Sequence, residues 1–335
     1  MKERLVYIDI LRAFAIFLVT LGHVTEYGGY GQGLLHGVIY SFHMPLFFAI
    51  SGFVAMYGLR GSDASLDFKG FLRYAFKKFR FILIPYLVWG LVVHPFCFSM
   101  ALPSWEGYLR ICRSVFCENT SAWFLPCLFG LSLALGIHRL LFDRIRIAPR
   151  YLVDVAGVIM LYAVLGLLFH VTGNPFLRSV VSYYLPFMVG VVMGKHSSIG
   201  DFVEGNQWVF IFSVVVFAVS AGVFAGHCGT AFEKPARLMA GLTSIPVFFS
   251  LARCLNLPNC IVAPLVLVGQ NTLSVYCLQN WGRIPSSIFA PFRMTVLLQV
   301  LVFGAISVFV ITLIVAVAGL LSRNVILRQL LFGKR

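Results

Sequence analysis

Ten stretches of nearly unbroken apolar residues run through the chain. They lie at 6–26, 36–58, 77–97, 122–141, 152–171, 179–195, 207–226, 236–253, 261–281 and 296–321. An α-helix needs about 20 such residues to cross a bilayer. The pattern therefore predicts an all-α, polytopic integral membrane protein of about ten transmembrane helices. Ten spans use roughly 200 residues, which leaves enough for loops but not for a separate large soluble domain. The whole of 1–335 is expected to form one transmembrane domain. The first stretch is not a signal peptide, because Asp9 and Arg12 interrupt it and no clean small-residue cleavage site follows.

Composition agrees: 60% of the 335 residues are hydrophobic and 11% are charged. Soluble domains carry about 25% charged residues, and disorder requires low hydrophobicity. The net charge of +14 would suggest nucleic acid on a soluble protein. Here it is explained by sidedness. With alternating loops, 18 Lys and Arg fall on one side and 7 on the other. The richer side holds both termini, which places them in the cytoplasm. The cysteines show no CxxC or Cys/His metal spacing, and no metal site is expected. Cys112 and Cys117 share an outer loop and are a possible disulfide pair.

Ionisable groups inside a span are costly and are functional candidates by default. The first span holds Asp9, Arg12 and His23, with Glu26 at its end. Asp9 and Arg12 are neighbours on a helix, as catalytic support or as a purely structural ion pair. Arg12 and His23 are about 20° apart around the axis and about 16 Å apart along it, so one polar stripe is expected through the membrane. That spacing suits a long, thin anionic substrate. Coenzyme A has this shape, with phosphates at one end and a thioester at the other. Arg12 would meet the phosphates, and His23 would take a proton from a sugar hydroxyl, a task that suits histidine.

The second span contains His43, Pro45 and Ser51. His43 is either catalytic support or a buried structural histidine. Ser51 either lines a cavity or bonds back to its own helix. Lys77 and Arg80 present two cations at the cytoplasmic boundary of the third span, for lipid headgroups or for donor phosphates. The outer stretch from 98 to 121 brings Trp105 and Tyr108, and Trp123 follows it. These aromatics either bind a sugar acceptor or form an interfacial belt. The ninth span carries polar residues at helical spacing, Tyr276 and Gln279 among them, which line a cavity or join helices.

Taken in order, these residues resemble the membrane-bound acyltransferase-3 family, O-acyltransferases of surface polysaccharides and related acceptors. The likeness rests on Asp9-x-x-Arg12 with His23, and His43-Met44-Pro45-Leu46-Phe47-Phe48 with Ser51-Gly52-Phe53. Further on it rests on Lys77-x-x-Arg80, Trp123-Phe124-Leu125-Pro126, Leu185-Pro186-Phe187-x-x-Gly190 and Asn271-x-x-x-x-Tyr276. It covers about 5 to 320. Two departures are visible: Lys77 stands where relatives often have arginine, and Gln279 where many have histidine.

The resemblance implies a cytoplasmic acyl-CoA donor, His23 as the catalytic residue, and Arg12, Lys77 and Arg80 at the donor. The resulting expectation is an acyl-CoA-dependent O-acyltransferase, for acetyl groups first of all, in a bacterial cytoplasmic membrane. Its acceptor would be a hydroxyl on a surface polysaccharide or lipid-linked glycan. Its partners would be acyl-CoA, that glycan and membrane lipids, with no nucleic acid and no tightly bound cofactor. Direct transfer and transfer through an acyl-histidine both fit. The rival reading is a non-enzymatic transporter or flippase of a polysaccharide precursor, using the polar stripes as a path. Replacing Arg12 by Lys separates them, since a bidentate phosphate contact suffers and a charge-only anchor does not.

Overall fold

The computed structural model describes residues 5–59, 65–97, 104–115, 123–145, 149–226, 231–279, 285–289 and 291–334. The helices are α1 (Val6–Thr25), α2 (Leu34–Tyr57), α3 (Phe68–Lys78), α4 (Ile84–Val88), α5 (His94–Cys97), α6 (Trp105–Arg113), α7 (Phe124–Phe142) and α8 (Arg150–Thr172). After them come α9 (Pro175–Lys195), α10 (Ser197–Gly205), α11 (Gln207–Gly226), α12 (Glu233–Cys254), α13 (Asn259–Gln270), α14 (Thr272–Leu278), α15 (Val296–Leu321) and α16 (Val325–Phe332). No strand occurs among the described residues. Among the described residues nine helical runs are long and apolar enough to cross a membrane, or ten if the bent pair α13–α14 is one span. Phe212, Phe309 and Leu297 are about two-thirds exposed and Val171 more so. In water such surfaces would aggregate; for a chain in a bilayer they face the lipid.

Local chemistry sets the helix ends. Asp67 caps α3 by accepting from the Gly70 amide at 2.8 Å, and Ser104 caps α6. Asn174 and Asn206 accept from amides in the first turns of α9 and α11. α8 stops at Gly173, whose φ of 62° is left-handed.

Three stretches differ from the sequence expectation. The third span begins at Phe68 rather than 77 and contains two wide π-turns, Phe79–Leu83 and Trp89–Val93. Each widened turn rotates the residues that follow, so Lys77 and Arg80 do not keep the alignment of a regular α-helix. Within the expected 98–121 loop, residues 105–113 form α6. The ninth span bends by 65° between α13 and α14. There the Asn271 side chain donates to the Leu267 carbonyl at 2.8 Å, and the Asn271 amide bonds three residues back to Val268. The straight polar stripe expected over this span is thereby broken.

The chain forms two compact units, Met1–Arg60 with Val189–Gly319, and Gly61–Met188 with Leu320–Arg335. In the first, α1, α2, α11, α12 and α13 pack together. Phe14, Phe42, Phe217 and Phe248 join four of these helices; Phe42 stacks on Phe248 at 5.0 Å and meets Phe217 edge-on at 4.9 Å. Gly190 and Gly194 lie four residues apart and rest on the Ala49 and Phe53 carbonyls of α2. This is the small-residue contact that lets membrane helices touch backbone to backbone. At one end of the unit, Arg253 pairs with Asp201 at 2.9 Å and buried Glu204 at 3.1 Å. The Tyr7 hydroxyl donates to the same Glu204 carboxylate at 3.2 Å.

In the second unit α7 is the buried helix, with Leu131 fully enclosed. It packs on α3 and α8. Trp123 stacks on Tyr183 at 5.2 Å, and Arg139 pairs with buried Asp143 at 3.0 Å.

Candidate active site

Among the described residues α1 lies in the most enclosed span, so its partly exposed polar positions stand out. Asp9 is buried and its carboxylate lies 3.5 Å from Arg12 Nη1. The Arg12 side chain keeps 29% of its exposure and that of His23 keeps 32%. Both side chains therefore reach open space. Between them, on the same face, stand Ile16 and Val19, which are 0% and 4% exposed. The expected polar stripe is thus two polar ends separated by a covered apolar stretch.

At the His23 end, Glu26 Oε2 lies 3.7 Å from His23 Nδ1. The same oxygen accepts from the Tyr40 hydroxyl at 3.1 Å. The carboxylate is held from α2 while it faces the imidazole of α1. The helices approach closely here, because a Cβ on Gly22 would fall 2.8 Å from the Tyr40 ring. After Glu26 the helix kinks at Gly29, whose φ of 87° lies in the left-handed region that suits glycine. The Tyr27 ring lies parallel to His23 at 6.0 Å.

The α2 wall carries His36, Tyr40 and His43. Tyr40 stacks on His36 at 3.8 Å and touches His43 at 4.8 Å. His43 is buried, and its Nδ1 bonds to the Ile39 carbonyl at 2.8 Å. A carbonyl only accepts, so that nitrogen carries the proton. His23, His36 and the Arg237 guanidinium lie within electrostatic reach of His43. No group of three His, Cys, Asp or Glu side chains among the described residues could hold a metal ion.

The sequence-derived candidates in this unit divide into two sets. His23, Glu26 and His43 come together, and Asp9 holds Arg12. The Ser51 hydroxyl donates to its own helix at the Phe47 carbonyl, 2.9 Å away. Tyr276 and Gln279 follow the bend on α14, which packs on α1. Gln279 is buried. Tyr40 and His36 were missed, although the spacing of His36, Tyr40 and His43 by four and three residues marks one helix face.

In the second unit, Lys77 and Arg80 are exposed, and Lys78 lies over the Tyr74 ring at 5.5 Å. Arg80 Nη2 donates to Gln329 Oε1 at 3.3 Å. Trp105 is 73% exposed on α6, while the Tyr108 hydroxyl donates to the Leu91 carbonyl at 3.2 Å. Cys117 lies outside the described residues, and with it the suggested Cys112 pairing.

No curated protein and no solved structure matches the chain. The acyltransferase-domain family model of acyltransferase family 3 matches residues 5–321, nearly its whole length. A multi-pass helical chain with an imidazole and a carboxylate set against each other on its most enclosed span thus belongs to the acyltransferase-3 family, a family of membrane acyltransferases.

Proposed function

We propose that the protein is an O-acyltransferase that moves an acetyl group from acetyl-CoA to a sugar hydroxyl of a surface polysaccharide or lipid-linked glycan. It works in a bacterial cytoplasmic membrane with both termini in the cytoplasm. The observation that carries the reading is Glu26 set against His23 Nδ1 and held there by Tyr40. Glu26 faces Nδ1, which favours the tautomer protonated on that nitrogen and makes Nε2 the nitrogen that acts as the base. Nε2 takes the acceptor hydroxyl proton, and the oxygen attacks the thioester carbonyl. The C–O bond forms, the C–S bond breaks, and the departing CoA sulfur recovers the proton from the imidazolium. Arg12, held by Asp9, is a cation for the donor phosphates in the first unit. Lys77 and Arg80 are the cations assigned to them in the second. Trp105, Tyr108 and Trp123 are the aromatic candidates for the acceptor.

The covered stretch at Ile16 and Val19 favours an enzyme over a transporter. A hydrated solute needs a polar path along its whole route, whereas an uncharged carrier arm can displace apolar side chains. The test is CoA release from acetyl-CoA by the purified protein in liposomes, compared with His23→Ala. Loss of release with acetyl-CoA binding retained supports the reading. Equal release removes His23 from the chemistry, and absence of acetyl-CoA binding in both proteins favours the transporter.

A further inference from the structure

Beyond residue 321, where the family match ends, the chain forms one more helix, α16. Asn324 caps it by accepting from the Ile326 and Leu327 amides at 2.9 and 3.2 Å. Its far end closes with the Lys334 amide on the Arg328 carbonyl and the Gly333 amide on the Gln329 carbonyl, at 3.3 and 3.1 Å. That double closure needs a left-handed residue, and Gly333 has φ 58°. Gly333 also rests on the Phe81 carbonyl, where a side chain would collide.

The docking is specific. Phe332 is 1% exposed, and Trp89 Nε1 donates to the Leu331 carbonyl at 2.8 Å. Both attachment points on the third span lie in its π-turns, Phe81 in the first and Trp89 in the second. Arg80 lies in the first π-turn and is held by Gln329.

Arg328 shares the inward face of α16 with Leu331 and Phe332, three and four residues on. Its Nε is buried and has no hydrogen-bond partner among the described residues. Arg328 as a whole is partly exposed, so a covered guanidinium Nε without an acceptor calls for an explanation. A guanidinium nitrogen without an acceptor is a place for an anionic oxygen. Lys334, at the same helix end, adds a second cation.

We propose that α16 forms the second wall of a phosphate site on the third span: Arg328 contacts a donor phosphate directly, and Gln329 is a positioning residue that aims Arg80 at it. The inference rests on the donor reading of Arg80 given above. A guanidinium fork suits phosphate, and an amide partner orients Arg80 without cancelling its charge.

The test uses the full chain in maltoside micelles, which contain no phosphate, with CoA as the probe. Arg328→Ala weakens CoA binding roughly tenfold and Gln329→Ala severalfold, in line with hydrogen bonds to charged groups. The KM for acetyl-CoA rises with kcat near its original value, a split that a packing role does not produce. Arg328→Lys recovers part of the affinity. Gln329→Glu keeps the contact but loses affinity, because it neutralises Arg80. If Arg80→Ala loses affinity while Arg328→Ala and Gln329→Ala do not, the role of α16 is overturned and the donor reading stands. If all three bind CoA normally, the donor reading fails first. If Arg328→Ala binds CoA normally but no longer retains added phosphatidylglycerol, the phosphate belongs to lipid and the proposal is overturned. Should Arg328→Ala not fold, Arg328→Lys and Gln329→Ala decide, and normal affinity in both overturns it.

Discussion

At the residue scale, the proposed function sets a base on one helix, His23 on α1, and the restraint on its partner on the next, Tyr40 on α2. His23→Ala is expected to lower turnover about 10²-fold or more, the usual contribution of a positioned base. Tyr40→Phe leaves Glu26 in place but unrestrained. It is expected to lower kcat by about two- to tenfold with the acetyl-CoA KM unchanged, less than the full worth of a hydrogen bond to a carboxylate because Glu26 still faces His23. Steady-state kinetics in liposomes separate the two. Glu204, outside the spans, offers a different test. Burial raises its pKa, and Arg253 and Tyr7 oppose the shift. A carboxyl with a raised folded pKa binds its proton more tightly when folded. Stability is therefore greatest below the ordinary glutamate pKa and falls as pH rises through the folded value. The unfolding midpoint should drop as pH rises above the ordinary glutamate range, and Glu204→Gln should flatten that slope. Asp9, Arg12 and His23 were legible because ionisable groups stand out in an apolar run. Tyr40 was not, since its meaning depends on which face of α2 turns toward α1, and that is decided by packing.

At the element scale, contacts between backbones set the spacing of the helices. Gly190 and Gly194 rest on carbonyls of α2, leaving no room for a side chain. Gly190→Leu is expected to cost about 1–3 kcal/mol or more, read as a lower unfolding midpoint in detergent. Gly205→Ala, at a position with open space, should change it little. Most of the apolar segments were legible almost to their ends, because lipid demands long uninterrupted runs, while the third begins at Phe68 rather than 77. The irregular backbone was not. A π-turn leaves the hydrophobic pattern intact, and the bend at Asn271 comes from one amide side chain competing for a carbonyl. Neither leaves a periodic trace. α6 was hidden for another reason: it is short and amphipathic, and hydropathy alone gives it no weight.

At the scale of the whole molecule, the bent pair α13–α14 decides the topology. If it crosses, the chain passes through the membrane ten times and both ends emerge on one side. If it turns back, there are nine passages and the ends part. Single cysteines placed at positions 2 and 334 should both resist an impermeant thiol reagent applied from outside, as cytoplasmic termini require. Labelling of one alone would make the pair a re-entrant turn. The covered stretch of α1 at Ile16 and Val19 has its own consequence for the cell. A bilayer stores energy as ion gradients, and any continuous wet path discharges it. On the proposed function, an acyl fragment would change sides by bond exchange while this covered stretch keeps the electrical insulation intact. Liposomes carrying the protein should hold an imposed pH difference as long as empty ones, and Ile16→Asp should make them leak.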